Sequence, residues 1–164
     1  MSDIRSVDIR AAMSSDLPAL VALDAACFDA AERWGELAWQ AELEGTGLVM
    51  VVDARRPGSG CELYGDLAAA ITIHLAGDSA ELYRVMTAPD WRGMGLATLL
   101  LAKGFNWARE MGASEMMLEV REDNRARSLY ADLGFTPAYE RTNYYGPGLH
   151  ALVMRRVLEV DANE

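Results

Sequence analysis

Leu82-Tyr83-Arg84-Val85-Met86-Thr87-Ala88-Pro89-Asp90-Trp91-Arg92-Gly93-Met94-Gly95-Leu96-Ala97-Thr98 decides how this chain is read. Leu82 to Thr87 reads as a strand, and Pro89 ends it, since proline cannot donate to a ladder. A helix starts inside the second half, runs from about Leu96 to Met111 and is closed by Gly112. The first turn of a helix has amide N–H groups without partners, and the helix dipole adds positive character there. An anion is the natural ligand of such a turn. Gly93 and Gly95 let the backbone approach a diphosphate with no Cβ in the way. Around them Met94 and Leu96 contribute backbone, Ala97 keeps the next turn open, Thr98 offers a hydroxyl and Arg92 a charge.

Other readings of the glycines stand beside this one. Two glycines before a helix also make an ordinary tight turn, and a short glycine pattern alone is weak evidence. A dinucleotide fingerprint would place a third glycine where Thr98 stands, and an acid some distance on, where Glu115 or Glu119 sits. Its first glycine should follow the strand directly, and here it does not. A P-loop fails because no Gly-Lys-Ser/Thr follows.

Working outward, Met116 to Val120 is a short apolar strand. With Leu82–Thr87 and the helix between them it forms one right-handed βαβ crossover. Upstream, Val7–Ala11 reads as a strand. Ser14 or Ser15 is expected to cap a helix with Leu17, Leu20, Val21 and Leu23 on one face, and a second helix covers Glu36–Leu43. Leu48–Val52 and Leu67–His74 are strands around a turn at Arg55-Arg56-Pro57-Gly58-Ser59-Gly60. Downstream, Asn124 caps a helix through Leu133 with Gly134 at its end, and Thr136–Arg141 and Ala151–Val157 are the last strands. Mixed elements of this kind give an α/β or α+β layered fold. One domain over residues 1–164 is expected, with its core at about 5–158 and a short flexible C-terminal tail.

The net charge of −10 disfavours nucleic acid and anionic membranes and suits a basic partner, although acidity also simply aids solubility. Cys27 and Cys61 form no Cys-x-x-Cys pair, and His74 and His150 are too scattered to complete a metal set, so no metal is expected. Met1 to Arg10 is charged throughout with no apolar signal segment, and no apolar run is long enough to span a bilayer. Reduced thiols in a cytoplasmic protein are the expectation, as monomer or weak homodimer.

Arg92-x-x-Gly95-x-Ala97 matches the Gln/Arg-x-x-Gly-x-Gly/Ala signature of the GNAT family of N-acetyltransferases. Downstream, Leu118-Glu119-Val120-Arg121, Asn124, Leu129-Tyr130-Ala131-Asp132-Leu133-Gly134-Phe135, Arg141-Thr142-Asn143-Tyr144-Tyr145 and Ala151-Leu152-Val153-Met154 follow in family order. The chain resembles that family, and within it the ribosomal-protein-alanine (RimI-like) branch, densely from Leu82 to Met154 and more weakly upstream, where Phe28, Trp34 and Glu42-Leu43 still fit. The resemblance implies a strongly twisted mixed sheet of about six to seven strands with helices on both faces. Two central strands, here Leu82–Thr87 and Met116–Val120, would splay to admit acetyl-CoA. It also implies that the backbone of Val85, Met86 and Thr87 bonds the pantetheine arm, that Gly93 to Thr98 holds the pyrophosphate, and that Asn124 reaches the cofactor. Tyr144 and Tyr145 would flank the acceptor, although an exposed aromatic pair on a hairpin fits the sequence as well.

Acyl transfer to an amine needs the ammonium to lose a proton, the thioester carbonyl to be polarised and the leaving thiolate to gain a proton. Aligning the reactants supplies much of the rate, and a backbone amide near Met86 is a candidate donor to the carbonyl. By strand alternation Met117 and Glu119 share one face of Met116–Val120, with Met116, Leu118 and Val120 on the other. A partly buried Glu119 would suit a general base, whereas a Glu119 paired with Arg121 would be a surface residue. Ala126, Leu129, Tyr130 and Leu133 follow helical spacing, so Tyr130 reads equally as a packing residue. The resemblance implies that it is the general acid for the CoA thiolate.

Two departures from the family pattern bear on specificity. The Asn124-to-Ala126 spacing is one residue short, which lets Asp123 take the asparagine's place. Leu149-His150 stands where the branch carries an acidic residue, and His150 is expected as an exposed turn residue. The expected activity is acetyl-CoA-dependent acetylation of a protein N-terminal α-amine by direct transfer, with a basic peptide acceptor. An α-amine near pKa 8 needs less activation than a lysine at about 10.4. Acetylation of a small amine (a polyamine, antibiotic or amino acid) and non-catalytic acyl-CoA binding are the alternatives, and intact Glu119 and Tyr130 argue against the second.

Overall fold

Residues 7–54 and 67–159 are described by the computed structural model. Along the chain run β1 (Ile9–Ala11), a 3-10 turn at Ser14–Asp16, α1 (Leu17–Cys27), α2 (Glu36–Glu44), β2 (Leu48–Asp53), β3 (Leu67–Ala76) and β4 (Ser79–Thr87). A second 3-10 turn at Pro89–Trp91 leads to α3 (Leu96–Glu110), β5 (Glu115–Arg121), α4 (Ala126–Asp132), β6 (Thr136–Arg141) and β7 (Ala151–Val157). The strands form one sheet of seven in the order β1-β2-β3-β4-β5-β7-β6. It is mixed: β4 and β5 run parallel, and β1–β2, β5–β7 and β7–β6 antiparallel. The α/β class and the βαβ crossover through α3 are those expected from the sequence.

β4 begins three residues earlier than the Leu82 start expected from the sequence, because Gly77, at φ 65°, turns the chain between β3 and β4. The β4–β5 ladder joins Ser79, Ala80, Glu81 and Leu82 to Glu115, Met116, Met117 and Leu118. Both strands run on past it, β4 to Thr87 and β5 to Arg121.

The chain groups into two compact units, Met1–Thr72 with Arg84–Leu101, and Ile73–Tyr83 with Ala102–Glu164. In the first, Leu20, Leu23, Trp39, Val49, Val51, Leu67, Ala70 and Met86 form a buried cluster. The cap expected from Ser14 or Ser15 is not found; both lie in the 3-10 turn ahead of α1. Asp16 organises that turn instead. Its carboxylate accepts the Met13 N–H at 2.7 Å and both terminal nitrogens of Arg10 at 2.8 Å, and Arg10 also grips Asp53. A charged pair outcompetes a serine hydroxyl for this position. The expected Arg55–Gly60 turn and Cys61 lie outside the described residues.

In the second unit β5 alternates as expected: Met116, Leu118 and Val120 are buried, and Met117 and Glu119 face the other way. β7 buries Ala151 through Met154. Phe135 packs on Phe105 and, edge-on, on Tyr130, each at 5.9 Å between ring centroids. Past α3, Gly112 at φ 89° lets its N–H reach Arg109 and the Ala113 N–H reach Ala108, the expected glycine stop. β6 lies at the sheet edge with every residue exposed and a register shift between Pro137 and Tyr139.

Candidate active site

In the first unit the segment after β4 makes an open turn ahead of α3. Gly93 and Gly95 take φ 77° and 79°, a region that side chains with a Cβ adopt at a cost. A Cβ built on either would meet no protein atom within 4 Å, so the space over the turn is open. The first bond of α3 runs from Leu99 N to Gly95 O at 3.0 Å. The amides of Leu96, Ala97 and Thr98 therefore have no acceptor within the helix. Open space, left-handed glycines and first-turn N–H groups are what a diphosphate requires. Arg92 is exposed, and its Nε donates to Thr87 O at 3.1 Å.

Thr87 O also accepts the Cys27 thiol at 3.3 Å, so both lone pairs of that carbonyl are in use. A pantetheine contact at Thr87 would fall to its N–H. Burial pushes the Cys27 thiol upward against the pull of the Arg92 guanidinium, so it stays protonated at neutral pH.

One cluster in this unit escaped the sequence reading. Asp24 is fully buried in α1 and accepts from Trp34 N at 3.0 Å, Trp39 Nε1 at 3.1 Å and Arg84 Nη1 at 2.8 Å. The Arg84 guanidinium lies 3.9 Å from the Phe28 ring centroid and 4.5 Å from that of Trp34, and bonds the Glu32 carbonyl. Arg84 thus anchors β4 beside Val85 and fixes the α1–α2 connection. The signal was present: in Leu17-Pro18-Ala19-Leu20-Val21-Ala22-Leu23-Asp24, Asp24 falls four residues after Leu20 on the buried face.

In the second unit Glu119 does not pair with Arg121. Arg121 binds Asp123 at 3.0 Å, and Glu119 Oε1 takes Arg141 Nη2 of β6 at 3.0 Å. The Glu119 side chain is partly buried, 31% exposed, on the face of β5 opposite Leu118 and Val120. Arg141 also lies 5.3 Å from the ring centroid of Tyr144, which links the carboxylate to the aromatic pair. Tyr144 and Tyr145 pack edge-on at 5.1 Å and are both exposed. Tyr130 is buried, and burial pushes its phenol up to about 12, so it keeps its proton throughout the neutral range.

The N-cap of α4 is Arg125 rather than the expected Asn124, which stands one residue earlier and whose Oδ1 accepts the Ala126 N–H at 2.9 Å. Asp123, bound to Arg121, has no such role in α4. His150 is half-buried rather than an exposed turn residue. Its Nδ1 accepts the N–H of Asn143, itself at φ 56°, and so fastens the turn that carries Tyr144 and Tyr145. Glu122, Glu140 and His150 also bring ligand atoms within 4.8 Å of one another. Because Nδ1 is taken, the neutral ring holds its proton on Nε2, and a cation would have to displace one of the two.

Residues 17–135 match the model of the acetyltransferase (GNAT) family, which is more than half of the chain. The chain belongs to that family. Within it, the chain is similar to the ribosomal protein bS18-alanine N-acetyltransferase of Haemophilus influenzae, 41% identical over 68 residues, or 42% of this chain and 47% of that protein. The Escherichia coli (strain K12) protein of the same name is 35% identical over 82 residues, 49% of this chain and 55% of its own. The matches thus span about half the length of these curated relatives. The crystal structure of the ribosomal-protein-S18-alanine N-acetyltransferase from Escherichia coli shares the fold, with a TM-score of 0.78 at 24% identity over 96% of this chain and 97% of that one. Among the described residues, no helix is long and apolar enough to cross a membrane.

Proposed function

We propose that this protein is an N-acetyltransferase that moves the acetyl group of acetyl-CoA directly to the N-terminal α-amine of a protein. The open, left-handed Gly93–Gly95 turn with its free amides carries the reading, in a chain whose family is the GNAT acetyltransferases. The amides of Gly93 to Thr98, with Arg92, bind the pyrophosphate, and the backbone of Val85, Met86 and Thr87 and the amide nitrogen of Asn124 hold the rest of the donor. Acetyl-CoA supplies an activated thioester. Glu119 accepts the proton of the incoming ammonium, directly or through a water. The amine nitrogen then bonds to the thioester carbon and sheds its second proton to solvent as the carbon–sulfur bond breaks. Tyr130, protonated across the neutral range, gives its phenol proton to the departing sulfur.

Tyr144 and Tyr145 flank the acceptor. The net charge of −10 and the names of the matched relatives support a basic protein N-terminus of the ribosomal type, in the cytoplasm. Free-thiol release from acetyl-CoA, measured with alanine-start peptides, internal-lysine peptides and small amines, tests the assignment. Turnover is expected with the alanine-start peptides. Turnover with small amines alone would replace the peptide reading by the small-amine one. CoA binding without turnover of any acceptor would indicate a binding module.

A further inference from the structure

The second unit holds a cavity that the proposed reaction does not use. Its volume is about 410 Å³, within the range of small-molecule sites, and it is bounded by Arg109 of α3, Gly134 and Thr136 around the start of β6, and Arg155, Arg156 and Glu159 at the end of β7. Three arginines converge there in a chain with a net charge of −10. Arg155 is ion-paired with Glu115. The other two guanidiniums have no carboxylate within ion-pair distance among the described residues. Arg109 donates one terminal nitrogen to the neutral amide oxygen of Asn106 at 2.9 Å, and its Nε is buried with no acceptor. Arg156 lies over Phe105, its Cζ 3.9 Å from the ring centroid. Burial and the neighbouring Arg109 charge push Arg156 below the usual arginine range, with Glu159 the opposing influence.

A buried donor without an acceptor is costly and calls for an explanation. Two like charges brought to one cavity add to that cost, and an anion between them removes both penalties. We propose that this cavity binds a small phosphorylated molecule through the guanidiniums of Arg109 and Arg156. A tetrahedral dianion presents enough oxygens for forks arriving from two different elements, whereas a single carboxylate satisfies one. The volume left over accommodates the organic part of the ligand.

Residue-resolved NMR on the full-length protein tests this, with arginine side chains labelled and CoA in excess so that the phosphate cradle is filled. Inorganic phosphate, pyrophosphate and citrate are titrated against chloride at matched ionic strength. Phosphate or pyrophosphate should saturably shift the Nε–H signals of Arg109 and Arg156 and the Gly134 amide. Arg109→Gln should weaken that binding at least about tenfold while CoA binding is unchanged. Arg156→Gln should do the same; because it also removes the Phe105 stack, the half-exposed Arg109 gives the decisive variant. The proposal is overturned by no shift, by equal shifts with chloride, by a response to citrate alone, by shifts confined to Gly93 and Gly95, or by unchanged affinity in Arg109→Gln.

Discussion

Replacing Gly95 by alanine separates the folding role of the cradle from its binding role. Gly95 sits at φ 79°, where an alanine is strained, and that strain costs on the order of 1 kcal/mol of stability. Nothing in the protein adds to this, because the new Cβ would meet no atom within 4 Å. A domain stable by about 5–15 kcal/mol stays folded after such a loss. The methyl would, however, enter the space over the first-turn amides. If a diphosphate sits there, one or two charge-assisted hydrogen bonds are lost, each about 1.5–3 kcal/mol. CoA affinity should then fall by roughly ten- to ten-thousandfold. Denaturant unfolding measures the first quantity and titration calorimetry with CoA the second. Affinity unchanged in a folded Gly95→Ala protein would refute the cradle. A loss of stability well beyond strain would show that the space is not open.

Three further outcomes follow from the geometry. Glu119→Gln should lower kcat about 100-fold or more with CoA affinity intact, since Glu119 lies on β5, outside the cradle; normal turnover would remove it as the base. The Tyr130 phenol, raised from about 10 in the unfolded chain to about 12 when buried, contributes stability that is complete below pH 10 and lost as pH rises toward 12. Alkaline unfolding of Tyr130→Phe should lack this loss of about 2–3 kcal/mol, and kcat should fall at neutral pH; matching alkaline curves would contradict the buried phenol. Asp24→Ala strands the buried Arg84 and should cost about 3–5 kcal/mol in denaturant, with a double-mutant cycle against Arg84→Met showing strong coupling; additive losses would mean the two do not act as a pair.

Local patterns carried most of what was readable in the sequence. The Gly93–Gly95 turn, the α3 stop at Gly112 and the inward Met116, Leu118 and Val120 each depend on neighbours within a few residues, so spacing alone locates them. What was missed depends on partners distant in sequence. Glu119 lies two residues from Arg121, yet it pairs with Arg141 because Asp123 takes Arg121 first. Asp24 and Arg84 are 60 residues apart, and their contact follows from the packing of α1 and α2 in the first unit. His150 looked like a turn residue until its bond to Asn143 put it inside the hairpin.

The outer edge of the sheet bears on how an acceptor can be gripped. β6 is an edge strand, but Pro137 contributes no N–H, and the register shift just after it bends the row of backbone groups. A visiting peptide laid along it as an eighth strand would find its ladder interrupted at the second residue. Strand addition is therefore a poor way to recognise a substrate on this edge, or to recruit a second copy. A peptide docking nearby must be recognised by its side chains and its free amine. Under the proposed function, selectivity built that way would read only the first few residues of the acceptor and would depend on the turn between β6 and β7 that carries Tyr144 and Tyr145.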